Sequence, residues 1–366
     1  MAQAALFGLD MVDVAKVNKK KWRCKYCPTA TTWSGDWALT GTMLSDQQSM
    51  FSNIKVSPNE LNVDGSLSMA YRDGVSYGDM WFTGRDGNSL NPNLNIGGVL
   101  GFYSGMEFKL NYRELPSFSS GGAQTPFKQG SNTLTLPNDW VTGSSSEHLL
   151  SLADALSPLD LSLLRKNLSV AFRHRSQSPW RPRISFSQQH KLGTTLSNGF
   201  YDYHFTALPI AVNQSTNLID SGLSYQGVNW LTDIAYQYSE FINDNAQLDW
   251  QDPFTLQQQQ YSLAPDNQYH ALGLQSRFNS THTQLYTRAN FSRSTQNQSF
   301  VPSDLLLPID SLHGRVDQFD VKFKLNHRYN RKTKFRAKIS LNKRNNKTNQ
   351  YLIGQRYNRV NDYKKT

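Results

Sequence analysis

The chain has 366 residues, a formal net charge of +10 and a mean hydropathy of −0.59, yet Asp, Glu, Lys and Arg make up only 18% of it. Soluble domains usually set an apolar core against a charged surface; here Asn, Gln, Ser and Thr supply the polarity, and aromatic residues reach 12%. No stretch approaches the roughly 18 apolar residues of a membrane-spanning helix, which excludes a helical membrane protein and leaves a β-barrel with a polar lumen as the class that fits.

The chain opens Met1-Ala2-Gln3-Ala4, and the small-x-small form of Ala2-Gln3-Ala4 suits signal-peptidase cleavage, so the chain is expected to start at the tail of an export signal. The two cysteines follow in Trp22-Arg23-Cys24-Lys25-Tyr26-Cys27-Pro28. Covalent haem attachment needs His directly after the second Cys; Pro28 stands there, so this chain is expected to bind no haem of its own. A structural zinc needs two further ligands, and the first His is His148. A local disulfide in an oxidising periplasm and a reversible Cys24–Cys27 redox pair both remain open. Residues 1–34 are expected to form a periplasmic segment and residues 35–366 a set of transmembrane strands and loops.

Period two dominates from there on, as half-buried strands require. Trp37, Leu39 and Met43 alternate with Asp36, Thr40 and Thr42; Leu61, Val63, Leu67, Met69 and Tyr71 alternate with Asn62, Asp64, Ser66, Ser68 and Arg72. Weaker strands are expected near 76–85 and 94–102. Met106, Phe108, Leu110 and Tyr112 form the next apolar face, followed by Leu168, Val170 and Phe172, then Ile184 and Phe186. A strand near 218–226 precedes Trp230, Ile234, Tyr236 and Tyr238; Leu272, Leu274 and Phe278 precede Leu285, Ala289 and Phe291. Phe319, Val321, Phe323 and Leu325, a turn at Tyr329–Thr333, and Phe335, Ala337, Ile339 and Leu341 close the series as a hairpin. The total is about a dozen strands, many of the roughly 9–11 residues that a tilted membrane strand needs. Aromatic residues including Trp33, Trp81, Trp180, Tyr201 and Phe241 are expected at strand ends, as interfacial girdles. Residues 116–158, with a short helix near 149–156, and residues 243–267 and 297–314 read as long loops.

The C-terminal stretch from Arg315 holds 16 Lys and Arg against three Asp. Within it, Lys322, Lys324, Arg336 and Lys338 occupy the polar face of their strands. A cation facing mid-bilayer lipid costs about 2–4 kcal/mol, so these four are expected to line the lumen, where they would attract anions or an acidic protein. Their strict alternation with aliphatic residues argues against a nucleic-acid stripe, which wants clustered cations and stacking aromatics. The eight His are scattered without metal or nucleophile spacing, and no catalytic constellation emerges; the chain does not read as an enzyme.

Several segments resemble, in colinear order over roughly residues 10–300, the MtrB/PioB family of outer-membrane barrels. They are Trp22-x-Cys24-x-x-Cys27, Leu136-Pro137-Asn138-Asp139-Trp140, Leu152–Leu164, Gln247–Trp250 and Pro265-Asp266-Asn267. The resemblance implies an all-β fold: a large antiparallel up-and-down transmembrane β-barrel of more than twenty strands in the outer membrane of a Gram-negative bacterium. It further implies a barrel that sheathes a periplasmic decahaem c-type cytochrome and brings it to an extracellular multihaem cytochrome for electron transfer, with haem carried by the partner. The dozen strands counted above are about half that number, so an incomplete barrel, truncated at both ends, is expected. An anion-favouring porin or transporter is the alternative reading of the same architecture.

Overall fold

A computed structural model describes residues 31–43, 61–85, 93–129, 132–175, 178–301, 309–353, 356–357 and 363–365. Trp22, Cys24 and Cys27 lie outside them. In chain order the strands are β1 (Thr32–Met43), β2 (Leu61–Arg72), β3 (Ser76–Arg85), β4 (Asn95–Phe102), β5 (Met106–Thr125), β6 (Lys128–Gln129) and β7 (Thr133–Thr135). A four-residue helix α1 (Leu152–Ala155) leads into β8 (Ser157–His174), β9 (Trp180–Tyr201), β10 (His204–Gln226) and β11 (Trp230–Asn243). Then come β12 (Gln247–Gln251), β13 (Gln258–Ser262), β14 (Asn267–Asn279), β15 (Thr283–Gln296), β16 (Gly314–Arg328) and β17 (Lys334–Asn346). Three short pieces finish the chain: β18 (Leu352–Ile353), β19 (Arg356–Tyr357) and β20 (Tyr363–Lys365).

Fourteen strands make one sheet in the order β1-β2-β3-β4-β5-β8-β9-β10-β11-β14-β15-β16-β17-β20. Every adjacent pair is antiparallel, and each sheet strand lies beside the next in sequence, which is the up-and-down meander of a membrane barrel. Among the described residues no ladder joins β1 to β20, and the sheet is open there.

The burial pattern is inside out for a soluble protein. In β11, Ile234 and Tyr236 are 49% and 40% exposed, whereas Asp233 and Ala235 beside them are 3% and 0% exposed. A soluble sandwich buries the apolar face of each strand. Here the ladder carries one continuous apolar face on the open side, from Trp33 and Tyr71 through Phe108 and Phe172 to Phe291 and Phe319. Such a face is stable only against hydrocarbon, and the fold is a transmembrane barrel sheet.

The two ends of the sheet differ. Asp73–Val75, Tyr103–Gly105, Gly227–Asn229, Ser280–His282 and Tyr329–Thr333 are tight connections at one end. In the first, Asp73 Oδ1 accepts from the Val75 amide at 2.6 Å and Asp73 also accepts from Ser76 and from the Tyr71 hydroxyl, and these bonds hold its carboxyl well below the usual carboxylate range. The connections at the other end are mostly long, spanning 44–60, 126–156, 244–266 and 297–313.

β9 and β10 run 22 and 23 residues, about twice what a tilted strand needs to cross the bilayer. The sequence pattern marked only Ile184 and Phe186 of the one and residues 218–226 of the other. The apolar-face positions next beyond Phe186 and Ile219 are polar: Gln188 Nε2 donates to Asn217 Oδ1 at 3.0 Å, and His190 Nε2 lies 2.7 Å from Asn213 Oδ1. The hydrophobic signal stops at the membrane edge while the hydrogen-bond ladder continues into water. The supposed loops are also partly ordered. β5 extends to Thr125, and β6, β7, β12 and β13 form a second, four-stranded sheet in the order β13-β12-β7-β6.

Candidate functional site: the polar face and its cap

Cross-strand register places Lys322, Lys324, Arg336 and Lys338 on one face, opposite to that of Phe323, Ile339 and their neighbours. Lys324 stands directly opposite Lys338, and Lys322 opposite Arg288 of β15. Like charges set across a ladder repel, so the sheet tolerates this pairing at a cost in stability. Arg344 of β17 belongs to the same face, and Asp320 is the one carboxylate there on β15–β17 among the described residues. The polar face of these three strands is strongly basic.

Further round the sheet, large side chains on the polar face lie flat against the wall. Tyr77 covers Gly101 and Trp81 covers Gly97, each so closely that a Cβ on the glycine would overlap the ring. The Tyr77 hydroxyl donates to Glu107 Oε2 at 2.8 Å, and Glu107 also pairs with Arg173 across the β5–β8 ladder. Arg183 lies over Gly222, where a Cβ would come within 2.5 Å of its guanidinium carbon. From there it reaches Asp233 with two bonds, Nη1 to Oδ1 at 2.5 Å and Nη2 to Oδ2 at 3.0 Å, and approaches Asp220 at 3.8 Å. Ser224 Oγ donates to Asp233 as well, at 2.5 Å. Residues 183, 220 and 233 share no sequence spacing; only the β9–β10–β11 register assembles them, which is why sequence reasoning passed over them. Trp81, Tyr201 and Phe241, expected in the girdles, occupy polar-face register positions instead.

At the long-loop end the polar face turns apolar and is covered. Leu208 and Ile210 of β10 pack with Phe127, Leu134, Leu136, Trp140, Leu149, Leu248 and Trp250 from the two long connections. β7 pairs in parallel with β12, aligning Leu134 with Trp250. The Leu136 amide donates to Gln251 Oε1 at 3.1 Å, and Trp140 Nε1 donates to the Pro253 carbonyl at 2.8 Å. Asp252, fully buried, accepts at Oδ1 from the Phe254 and Thr255 amides and fixes the β12–β13 turn.

The motif residues therefore converge in part. Leu136 and Trp140 share the cap core with Trp250, more than a hundred residues further along the chain. Pro137 accepts from the Trp140 amide at 3.1 Å and makes the turn that delivers the indole. Pro265-Asp266-Asn267 is not in that core; Asp266 Oδ1 accepts from the Asn243 amide at 2.7 Å, its own amide donates to Gln298 Oε1 at 2.7 Å, and so it ties the end of β11 to the residues after β15.

The family model for MtrB/PioB outer membrane beta-barrel porins matches residues 46–365. Among curated proteins, the outer membrane protein MtrB of Shewanella baltica (strain OS185) is 29% identical over 330 residues, covering 87% of this chain and 47% of that protein. The chain spans about half the length of that relative. Among solved structures, outer-membrane expressed OmpT of Vibrio cholerae aligns at 10% identity and a TM-score of 0.32, over 91% of this chain and 94% of that one. A loop L8 deletion mutant of the same protein aligns at 9% and 0.32, over 87% and 94%.

Proposed function

The chain belongs to the MtrB/PioB family of outer-membrane β-barrel porins, and on that premise we propose that it is wall for a barrel that sheathes a decahaem c-type cytochrome. The barrel would hold this periplasmic partner in contact with an extracellular multihaem cytochrome, so that electrons cross the outer membrane along the partner's haems. The chain itself would bind no haem and catalyse no reaction; its work is to keep lipid away from the haem chain and to fix its position.

The observation that carries this reading is the flattening of Tyr77, Trp81 and Arg183 into the glycine notches at 101, 97 and 222. A diffusion pore selects solutes with side chains that project into the lumen. A sheath needs a smooth, wide bore, and these side chains are folded out of it. The basic face of Arg288, Lys322, Lys324 and Lys338 supplies the complementary charge for a partner that displays haem propionates. It equally suits an anion-favouring porin, which is the competing reading.

The test is purification of the intact barrel from outer membranes in mild detergent, followed by haem staining and conductance in liposomes. A haem-stained partner should co-purify, with low conductance that rises when it is stripped. Gly101→Leu, which drives Tyr77 into the bore, should reduce the retained haem several-fold while the barrel still resists SDS unless heated. A barrel without haem-stained protein that passes anions freely from the start refutes the sheath and establishes the porin.

A further inference from the structure

The apolar face of β15, β16 and β17 ends in a charged cluster that the sheath does not use. Register puts Arg293, Asp317, Arg315 and Lys343 on the face of Phe291, Phe319 and Leu341, and Lys347, whose amide donates to the Arg315 carbonyl at 2.7 Å, continues it. Asp317 Oδ1 accepts from Arg293 Nε at 2.8 Å; Asp317 Oδ2 accepts from Arg315 Nη2 at 3.0 Å and Lys347 Nζ at 3.1 Å. The Asp317 side chain is 9% exposed, and those of the cations are 39%, 38% and 51% exposed. One carboxylate thus gathers three cations, with Lys343 a fourth on the same face, and neutralises the charge of one. A purely structural ion pair needs a single cation per carboxylate; the surplus of positive charge faces outward.

Its height is set by the strand. From His327 beside the short turn to Asp317, the apolar face of β16 reads Leu325, Phe323, Val321 and Phe319, an interval matching the roughly 9–11 residues that cross a bilayer. Short turns lie on the periplasmic side of outer-membrane barrels, so the cluster stands at the outer-leaflet surface, where the lipid of Gram-negative bacteria is a phosphorylated glycolipid. Arg293 also sits 5.8 Å from the Phe291 ring centroid, which places its charge just above the aromatic edge of the hydrocarbon layer.

We propose that Arg293, Arg315, Lys343 and Lys347 bind the phosphate of an outer-leaflet glycolipid headgroup, with Asp317 holding the two arginines and Lys347 in position. Arginine forks match phosphate oxygens in pairs, and the acyl chains would lie along Phe291, Phe319 and Leu341 below. This site is on the lipid side and stands whatever fills the barrel.

The protein purified from outer membranes and delipidated in nonionic detergent is titrated with bisphosphorylated lipid A, dephosphorylated lipid A and inorganic phosphate, with binding read by native mass spectrometry. Each basic residue near an anionic surface is worth about fivefold in affinity. The double variant Arg315→Gln with Lys347→Gln should therefore bind bisphosphorylated lipid A about 25-fold more weakly, and dephosphorylated lipid A should bind unmodified protein no better than that. Asp317→Asn retains the cations and should bind at least as tightly as the unmodified protein. Lys343→Gln leaves the three Asp317 pairs intact and should cost about fivefold, so the test survives a double variant that does not fold. Equal affinity of unmodified protein and the folded variants that remove a cation, or of the two lipid forms, overturns the proposal. So does displacement of the lipid by micromolar inorganic phosphate, which would mark a free-anion site.

Discussion

The Arg183 network tests whether the polar face is a dry, self-satisfied wall or a wet channel lining. The side chain of Asp233 is 4% exposed and that of Arg183 is 25% exposed, so Arg183→Ala strands a carboxylate with little access to water. Removing one partner of a buried pair costs about 3–5 kcal/mol. The hydrogen bond that Ser224 still donates offsets about 1 kcal/mol of this, and the expected loss is about 3 kcal/mol. Asp233→Asn should cost less, about 1–2 kcal/mol, because Arg183 keeps Asp220 within reach. Combining Arg183→Ala with Asp233→Asn should cost clearly less than the sum of the separate changes, with a coupling of at least about 1.5 kcal/mol.

Gly222→Ala is the most discriminating change, since it alters no charge. Its Cβ would meet the guanidinium at 2.5–2.7 Å, so Arg183 must leave Asp233, and the stability loss should approach that of Arg183→Ala. Urea unfolding of the barrel in liposomes, followed by tryptophan fluorescence, measures all four variants. If Arg183→Ala unfolds within about 0.5 kcal/mol of the unmodified protein, water already solvates Asp233, and the picture of side chains laid flat on a dry wall is wrong.

Trp250→Ala should remove about 3–5 kcal/mol of packing from the cap, read as protease cleavage within 126–156 and 244–266 while the membrane strands stay protected. The Asp73 carboxyl is held below its usual range by Tyr71 and the Ser76 and Val75 amides, so its contribution is present above the unfolded value of about 4 and is lost as pH falls below it; amide protection at Val75 and Ser76 should decline with pH there, and Asp73→Ala should abolish the dependence. With Cys24 and Cys27 changed to Ser, a cysteine at Leu150, 79% exposed in the long-loop end, should react with an impermeant maleimide on intact cells. A cysteine at Val228, 93% exposed in a short turn, should not.

The membrane-height strands were legible because one physical rule, apolar toward lipid every second residue, governs most of their outward positions from Trp33 to Leu341, with small polar residues such as Ser221 and Thr287 as the departures. The upper halves of β9 and β10 were not. Once a strand leaves the bilayer its outward positions need no hydrocarbon contact, so Gln188, His190, Asn213 and Asn217 pair with each other and erase the periodicity. The cap escaped for a different reason. β6, β7, β12 and β13 are two to five residues long, and Leu134 meets Trp250 only through a parallel pairing across more than a hundred residues. Trp81 was misplaced because a tryptophan in a barrel strand reads as a girdle residue, and the glycine that receives it, Gly97, lies on another strand.

These differences follow from where the solvent changes. At membrane height, sheet and lipid are both apolar, so burying Ile234 or Leu272 against hydrocarbon gives little preference for one packing over another. Cohesion there must come from the backbone ladder and from polar-face contacts such as Arg183–Asp233 and Tyr77–Glu107, which the small residues beside them allow to lie close. Above the membrane water returns, the hydrophobic effect is restored, and there the chain builds its largest buried apolar cluster among the described residues, around Trp250 and Leu208. The same chain is thus held by polar contacts where it crosses lipid and by an apolar core where it meets water.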